Sequence, residues 1–246
     1  MPISVTSWLG AVPGARPAWR ALLAWRVRFF QGGRFNTLRL DRAGTLTLLT
    51  LPEVFNGVLL RSGRFLAGAL DTALIPRGSR VLDMGTGSGI GAIRAAQLGA
   101  SVVAVDINPE AVRCARINTL LNHVEDRVEV RPGDLFAPVR GERFDVILFN
   151  PPFFRGAPRR ALDYAWRSEN TFERFLSGLD GALAPRGSAL ILLSTDGDLM
   201  PALTSAASQG WRLSQVAQQD LINEVFTLYR LERGGDVLDD AIHRSV

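Results

Sequence analysis

The sequence of 246 residues contains no lysine, one cysteine and two histidines. The single cysteine, Cys114, cannot form a disulfide within the chain, and His123 and His243 form no cluster with the spacing of a zinc site. We therefore expect neither a metal centre nor thiol chemistry. No apolar run reaches the roughly 18 uncharged residues of a membrane helix. Because the N-terminus also lacks the features of a signal peptide, we expect a soluble, cytoplasmic protein with no membrane partner.

The charged residues are unusual in that all 28 cationic side chains are arginines. Against 24 acidic residues they leave a formal net charge of +4, which permits an anionic partner without requiring one. The hydrophobic content of 47 % is that of a folded globular protein, and a chain of this length can bury one substantial core.

The first fifty residues differ in pattern from the rest. Residues 15–31 (ARPAWRALLAWRVRFFQ) predict a basic amphipathic helix. Its stripe of Trp19, Trp25 and Phe29 is more typical of core packing than of a platform for stacking bases. Residues 37–51 predict a β-hairpin, since alternating leucines flank a turn at 41–44. The predicted organisation is a basic N-terminal extension over 1–52, a main domain over 53–235 and a C-terminal tail over 236–246.

The main domain shows helical and strand patterns in alternation. Helices are predicted near 59–74, 89–98, 109–121 and 169–183, and strands at 80–84, 102–106, 128–131, 144–149, 189–194, 211–215 and 225–231. Such alternation is typical of an α/β fold, in which a mostly parallel sheet carries helices on both faces.

A glycine-rich turn follows the first strand of this domain, where residues 81–91 read VLDMGTGSGIG. Glycines at such a turn let the backbone approach a ligand closely, and the N-terminus of the following helix offers unpaired N–H groups. Gly87, Gly89 and Ala92 also satisfy the pattern G-x-G-x-x-A of dinucleotide-binding proteins, so the turn by itself leaves NAD open as a cofactor.

Two carboxylates follow the next two strands. Asp106, nineteen residues after Gly87, can accept hydrogen bonds from ribose hydroxyls in either type of cofactor. The Asn-Pro-Glu sequence that begins at Asn108 also predicts an ordinary helix start, with Asn108 as the N-cap. Asp134 can accept from an adenine amino group while Leu135 or Phe136 covers the ring, although Pro-Gly-Asp is equally typical of a surface turn.

A strongly apolar strand ends abruptly in Asn-Pro-Pro-Phe at residues 150–153. An amide or exocyclic amino nitrogen is a poor nucleophile because its lone pair is delocalised, so an enzyme must accept hydrogen bonds from its N–H groups and hold its plane. The Asn150 side-chain oxygen and the Pro151 carbonyl can accept those bonds, Pro152 stiffens the loop, and Phe153 can stack on the flat group. The same residues elsewhere would predict only a strand-terminating turn with an exposed aromatic.

With these motifs, residues 53–232 resemble class I S-adenosylmethionine-dependent methyltransferases with the Rossmann-like fold. The resemblance is closest to HemK-like enzymes, which methylate glutamine side chains of translation release factors. The stretch is also similar to small-domain methyltransferases that act on exocyclic amines of ribosomal and transfer RNA. The resemblance implies S-adenosylmethionine as the cofactor and a seven-stranded sheet of order 3-2-1-4-5-7-6, in which the last strand is antiparallel.

The resemblance also implies roles for individual residues. Cofactor contacts are implied at Asp83, Gly85, Thr86, Gly87, Gly89, Asp106, Ile107, Asp134, Leu135 and Asn150. Catalytic contacts with the acceptor are implied at Asn150, Pro151, Pro152 and Phe153. Two departures concern the acceptor: Phe153 stands where HemK-like enzymes usually have tyrosine, and the N-terminus is shorter and more basic than their helical substrate domain.

The expected activity is N-methylation of a protein glutamine, such as one in a translation factor, with an RNA base as the alternative acceptor and a small molecule as a third. An NAD-dependent oxidoreductase would explain the glycine turn and Asp106, but not Asn150–Phe153. A non-enzymatic RNA-binding module would explain the basic N-terminal helix. Arg155, Arg159 and Arg160 can contact phosphates, although a solvated arginine loop is the commoner explanation.

Overall fold

The computed structural model describes residues 37–54, 61–152, 154–155, 167–168, 170–195, 199–221 and 224–234. The predicted N-terminal helix at 15–31 and tail at 236–246 lie outside the described residues, as do Phe153, Arg159 and Arg160. None of the helices in the described ranges is long and apolar enough to cross a membrane.

The first element in the described residues is the predicted β-hairpin, formed by β1 (Arg39–Ala43) and β2 (Leu46–Thr50). Ala43 pairs with Leu46, so the chain reverses at Gly44 and Thr45 and not over the predicted 41–44. The shift has a conformational reason, because a two-residue hairpin turn needs a positive φ and Gly44 has φ 62°.

The remaining strands follow in chain order: β3 (Arg80–Met84), β4 (Ser101–Asp106), β5 (Val128–Pro132), β6 (Phe144–Phe149), β7 (Phe154–Arg155), β8 (Arg167–Ser168), β9 (Leu183–Ser194), β10 (Trp211–Asp220) and β11 (Val225–Arg233). Seven of them form one sheet of order β5-β4-β3-β6-β9-β11-β10, while β7 and β8 form a separate short parallel pair. Numbered along the chain, the seven have the predicted order 3-2-1-4-5-7-6. The last strand, β11, is antiparallel to both of its neighbours, as expected.

The described helices are α1 (Ser62–Ala69), α2 (Ile90–Gln97), α3 (Pro109–Leu121), α4 (Thr171–Ala182) and α5 (Leu199–Ser208). The predicted cap of α3 is confirmed, since the Asn108 side chain accepts a hydrogen bond from the Glu110 N–H at 3.0 Å. Helix α1 ends five residues before the predicted boundary of 74. There the Asp71 carboxylate accepts the N–H groups of Ala73 and Leu74, which stabilises a turn in place of another helical turn.

The core lies on both faces of the large sheet, because successive side chains of a strand point to opposite faces. Val146 and Leu148 of β6 face the layer of α1, α2 and the hairpin, whereas Ile147 and Phe149 face the layer of α4 and α5. With both faces covered, these strands need no polar side, which explains the unbroken apolar run before Asn150.

Candidate functional site

A cleft opens at the carboxyl ends of β3, β4, β5 and β6, where ligands bind in open α/β sheets. It encloses about 1230 Å³ including its open mouth. The predicted site residues that line it are Asp83, Gly85, Thr86, Gly87, Asp106, Ile107, Asp134, Leu135, Asn150, Pro151 and Pro152. Gly89 is not among the lining residues, and Phe153 lies outside the described residues.

The glycine turn takes a shape that only glycine adopts easily, since Gly85, Gly87 and Gly89 all have positive φ, at 64°, 56° and 84°. Gly89 is the N-cap of α2 and packs against α3, where an added Cβ would lie 3.2 Å from the Cα of Ala115. Gly89 therefore shapes the turn and its packing, while Gly85 and Gly87 present their backbone to the cleft.

The buried carboxylate of Asp83 links the turn to α2. Its Oδ2 accepts hydrogen bonds from the Thr86 hydroxyl at 2.6 Å and from the Ala92 N–H at 2.9 Å. Burial raises the pKa of Asp83 to about 6, although these two hydrogen bonds favour the charged form and oppose that rise. An added Cβ at Gly91 would lie only 2.9 Å from this carboxylate, so Gly91 provides the space that Asp83 occupies.

The Asp106 carboxylate is held by the backbone on both of its oxygens. Oδ2 accepts the Gly87 N–H at 2.8 Å, and Oδ1 accepts the Asn108 N–H at 2.9 Å. Burial raises the pKa of Asp106 above its ordinary value, against the effect of these hydrogen bonds. A carboxylate offers about four acceptor positions, so capacity for further donors remains. Ile107, 47 % exposed, lies next to it on the cleft wall.

The Asp134 carboxylate forms an ion pair with a residue that the sequence analysis did not identify. The Arg174 guanidinium donates to it at 2.5 Å, and both side chains are about half exposed. Arg174 and Thr171 belong to the first turns of α4 and line the cleft. Leu135 has φ 47°, an uncommon value for leucine, and the loop that it shapes also lines the cleft. No local motif signals this pair, because its two residues are 40 positions apart.

Asn150 lies directly after β6, at the floor of the cleft. Its side-chain oxygen Oδ1 is buried and accepts no hydrogen bond within the part of the chain that the structure describes. Buried polar atoms of native proteins are nearly always paired, so this acceptor, on a residue that lines the cleft, fits a missing donor from a ligand. The backbone carbonyl of the adjoining Pro151 is the second acceptor that the sequence analysis identified, and this residue also lines the cleft.

Other chemistry has little support among the described residues. They contain no group of three or more His, Cys, Asp or Glu side chains arranged to hold a metal ion. Cys114 is buried beneath the hairpin, where its thiol donates to the Leu49 carbonyl. Burial raises the pKa of this thiol to about 11, which keeps it protonated at neutral pH.

Comparison with known proteins points to one family. Residues 45–218 match the family model described as the methyltransferase small domain. A tRNA1(Val) (adenine(37)-N6)-methyltransferase of Bacteroides thetaiotaomicron is 32 % identical over 148 residues, covering 57 % of this chain and 59 % of that protein. A ribosomal protein uL3 glutamine methyltransferase of Bradyrhizobium diazoefficiens is 41 % identical over 104 residues, covering 42 % and 32 %. The chain thus spans less than two thirds of the length of these curated relatives.

Solved structures show the same fold. A 16S rRNA N2 G1207 methyltransferase of T. thermophilus, determined in complex with AdoMet and guanosine, superimposes with a TM-score of 0.62. The two sequences are 23 % identical, and the match covers 80 % of this chain and 50 % of that one. This likeness establishes a Rossmann-like fold for the chain, in agreement with the order of its large sheet.

Proposed function

The chain belongs to the methyltransferase small domain family, whose cofactor is S-adenosylmethionine, and we propose that it methylates the nitrogen of a planar amide or exocyclic amino group. The observation that carries this proposal is the buried Oδ1 of Asn150, a cleft-lining residue, which accepts no hydrogen bond from the residues that the structure describes. An N–H group of the acceptor would pair it, and an acceptor without an N–H group would leave it unpaired.

The other side of the cleft suits the cofactor. Gly85 and Gly87 present backbone without side chains, so a ligand can approach the turn closely. Asp106 keeps acceptor capacity for ribose hydroxyls, and we assign Asp134, which pairs with Arg174, to the adenine amino group, as the family resemblance implies. When bound, S-adenosylmethionine supplies an electrophilic methyl group carried on a positively charged sulfur.

Catalysis in this proposal is positioning. Asn150 accepts one N–H of the acceptor through Oδ1, and the Pro151 carbonyl accepts the second. Together they orient the nitrogen lone pair into the cleft and lessen its delocalisation. The two prolines keep the loop stiff, so little reorganisation accompanies the reaction. No general base is needed before transfer, because a neutral amide or amine already carries the attacking lone pair. With S-adenosylmethionine bound, the new N–C bond would replace the methyl–sulfur bond, S-adenosylhomocysteine would leave, and the nitrogen, then positively charged, would lose one proton to solvent.

Of the acceptor classes expected from the sequence, we place a protein glutamine first. This choice is supported by the higher identity to the uL3 glutamine methyltransferase and by the Asn-Pro-Pro-Phe motif, which resembles that of HemK-like enzymes. An RNA base is the second candidate, supported by the longer alignment with the tRNA adenine methyltransferase. Both acceptors present a planar nitrogen with two N–H groups, so Asn150 and Pro151 serve either of them equally.

The proposal is tested with the purified protein, cell-extract fractions and S-adenosylmethionine labelled in its methyl group. Release of the label by protease identifies a protein acceptor, and release by nuclease identifies RNA. Amino-acid analysis of labelled protein should then recover methylated glutamine. Calorimetry with S-adenosylhomocysteine and with NAD provides an independent check. Tight binding of NAD with no binding of S-adenosylhomocysteine would refute the proposal.

A further inference from the structure

Asn118 of α3 and Asn122, the C-cap residue of this helix, bind the free edge of the N-terminal hairpin. Asn118 accepts the Leu49 N–H through Oδ1 at 2.7 Å and donates from Nδ2 to the Leu49 carbonyl, also at 2.7 Å. Asn122, one helical turn later, forms the same pair of bonds with Thr47, at 3.0 and 2.7 Å. Thr47 and Leu49 are two positions apart, so both face the edge of β2 opposite β1. The two side-chain amides therefore pair this edge as another strand would.

Asn118 makes a further contact, which leads to the cofactor side of the cleft. Its Nδ2 also donates to the Ser88 carbonyl at 2.8 Å. Ser88 lies in the glycine turn and lines the cleft. The carbonyls of Leu49 and Ser88 use both N–H donors of the amide, and Asn118 is 0 % exposed, so water cannot replace it.

The peptide that Asn118 holds is fixed on its other sides as well. The Gly89 N–H, in the same peptide unit as the Ser88 carbonyl, donates to the Thr86 carbonyl at 2.8 Å. Gly89 itself packs on Ala115, one turn before Asn118 in α3. Loss of the Asn118 contact would leave the Ser88 carbonyl buried without this donor, and the peptide would have to turn to find another.

We propose that Asn118 is a positioning residue that couples the hairpin to cofactor binding through the Ser88–Gly89 peptide. The hairpin then contributes to cofactor affinity through Asn118. The inference rests on the proposed cofactor site at the glycine turn. Because coupling between two sites is reciprocal, cofactor binding must also stabilise the Leu49 contact, and more so than the Thr47 contact.

The matched pair of variants is Asn118→Ala and Asn122→Ala. Each removes two hydrogen bonds to the hairpin, so both should lower the unfolding midpoint. Only Asn118→Ala frees the Ser88 carbonyl. Calorimetry with S-adenosylhomocysteine should therefore show an affinity at least about tenfold weaker for Asn118→Ala and within about twofold of wild type for Asn122→Ala. Equal affinities in the two variants would overturn the inference.

A second measurement uses the wild-type protein and does not depend on the folding of a variant. Amide hydrogen exchange by NMR, with and without S-adenosylhomocysteine, should show a larger gain in protection for the Leu49 N–H than for the Thr47 N–H. Equal gains at the two amides would also overturn the inference. If the wild type does not bind S-adenosylhomocysteine, the proposed function fails together with this inference. Binding with equal effects at the two amides defeats the inference alone.

Discussion

Replacement of Asn150 by alanine should separate stability from activity. In the folded protein the Asn150 Oδ1 is buried and receives no donor from the described residues. An unsatisfied buried acceptor costs about 1–3 kcal/mol, whereas loss of the side chain removes packing worth about 0.8 kcal/mol per methylene-sized group. The two effects oppose each other, so the free energy of unfolding of Asn150→Ala should be unchanged or higher by up to about 1 kcal/mol.

Asn108→Ala is the matched control for stability, because Asn108 also follows a strand of the sheet but has a fully paired side chain. It accepts the Glu110 N–H and donates to the Glu53 carbonyl at 2.9 Å. Loss of this helix N-cap should lower the free energy of unfolding by about 1 kcal/mol. Urea denaturation of the two variants should therefore give midpoints that move in opposite directions, or one that falls while the other stays constant.

The activity of Asn150→Ala should fall by about 100-fold or more, since loss of one aligned hydrogen-bond partner at a reacting group has that effect in other enzymes. Affinity for S-adenosylhomocysteine should stay within about threefold of wild type. The assay is the initial rate of label transfer to the acceptor fraction. A variant that retains its rate and loses stability would refute the reasoning, because Asn150 would then be a structural residue of the turn.

Three further predictions concern the cofactor side. Gly91→Ala should lower the free energy of unfolding by about 1–3 kcal/mol and weaken S-adenosylhomocysteine binding, because the added Cβ would press on Asp83. The control Gly181→Ala, with open space around it, should leave binding unchanged and stability unchanged or slightly higher. Equal unfolding midpoints for the two variants would contradict this prediction. Since the pKa of Asp83 is raised to about 6, the folded protein binds this proton more tightly than the unfolded chain. Its stabilising effect is therefore complete below about pH 4 and lost as the pH rises through 6, so wild type should lose on the order of 3 kcal/mol relative to Asp83→Asn over that range, measured by urea denaturation at each pH; parallel curves would argue against it. Arg174→Gln should change stability by less than about 1 kcal/mol, since its pair with Asp134 is half exposed, but should weaken S-adenosylhomocysteine binding several-fold on calorimetry, and unchanged affinity would exclude an orienting role.

The fold could be predicted closely because its signals are local. Strands β3 and β6 and helix α3 have the predicted bounds, since each has an uninterrupted pattern and a clear boundary. Strand β3 ends before a glycine, β6 ends before an asparagine that precedes proline, and α3 begins after an N-cap residue. Helix α5 (Leu199–Ser208) was not predicted, because it lacks charged residues to mark an outer face. The early end of α1 depends on a side chain, that of Asp71, which competes with the helix for backbone N–H groups.

Residues of the candidate site could be predicted where a single local motif marks them. They were missed where their position depends on a contact between two residues far apart in the sequence. Glycines 85 and 87, Asp106 and Asn150 lie at strand ends, and parallel strands bring their carboxyl ends to one edge. Asp83 was expected to contact the cofactor, and the structure shows in addition that its carboxylate holds the turn to α2. Arg174 and Asn118 have no sequence signature, because each forms its hydrogen bond with a residue at least 30 positions away.

The sequence by itself determined the order of elements, the apolar strands and the polar residues at their ends, because these follow from periodicity, glycine and proline, which act over a few residues. Only the tertiary structure decided that the Asn150 Oδ1 is buried without a donor from the described residues, and which side chains support the glycine turn. Hydrogen bonds such as that between Asn118 and Leu49 require a donor–acceptor distance that is correct to within a few tenths of an ångström. Those distances arise only when α3, the hairpin and the sheet are packed together.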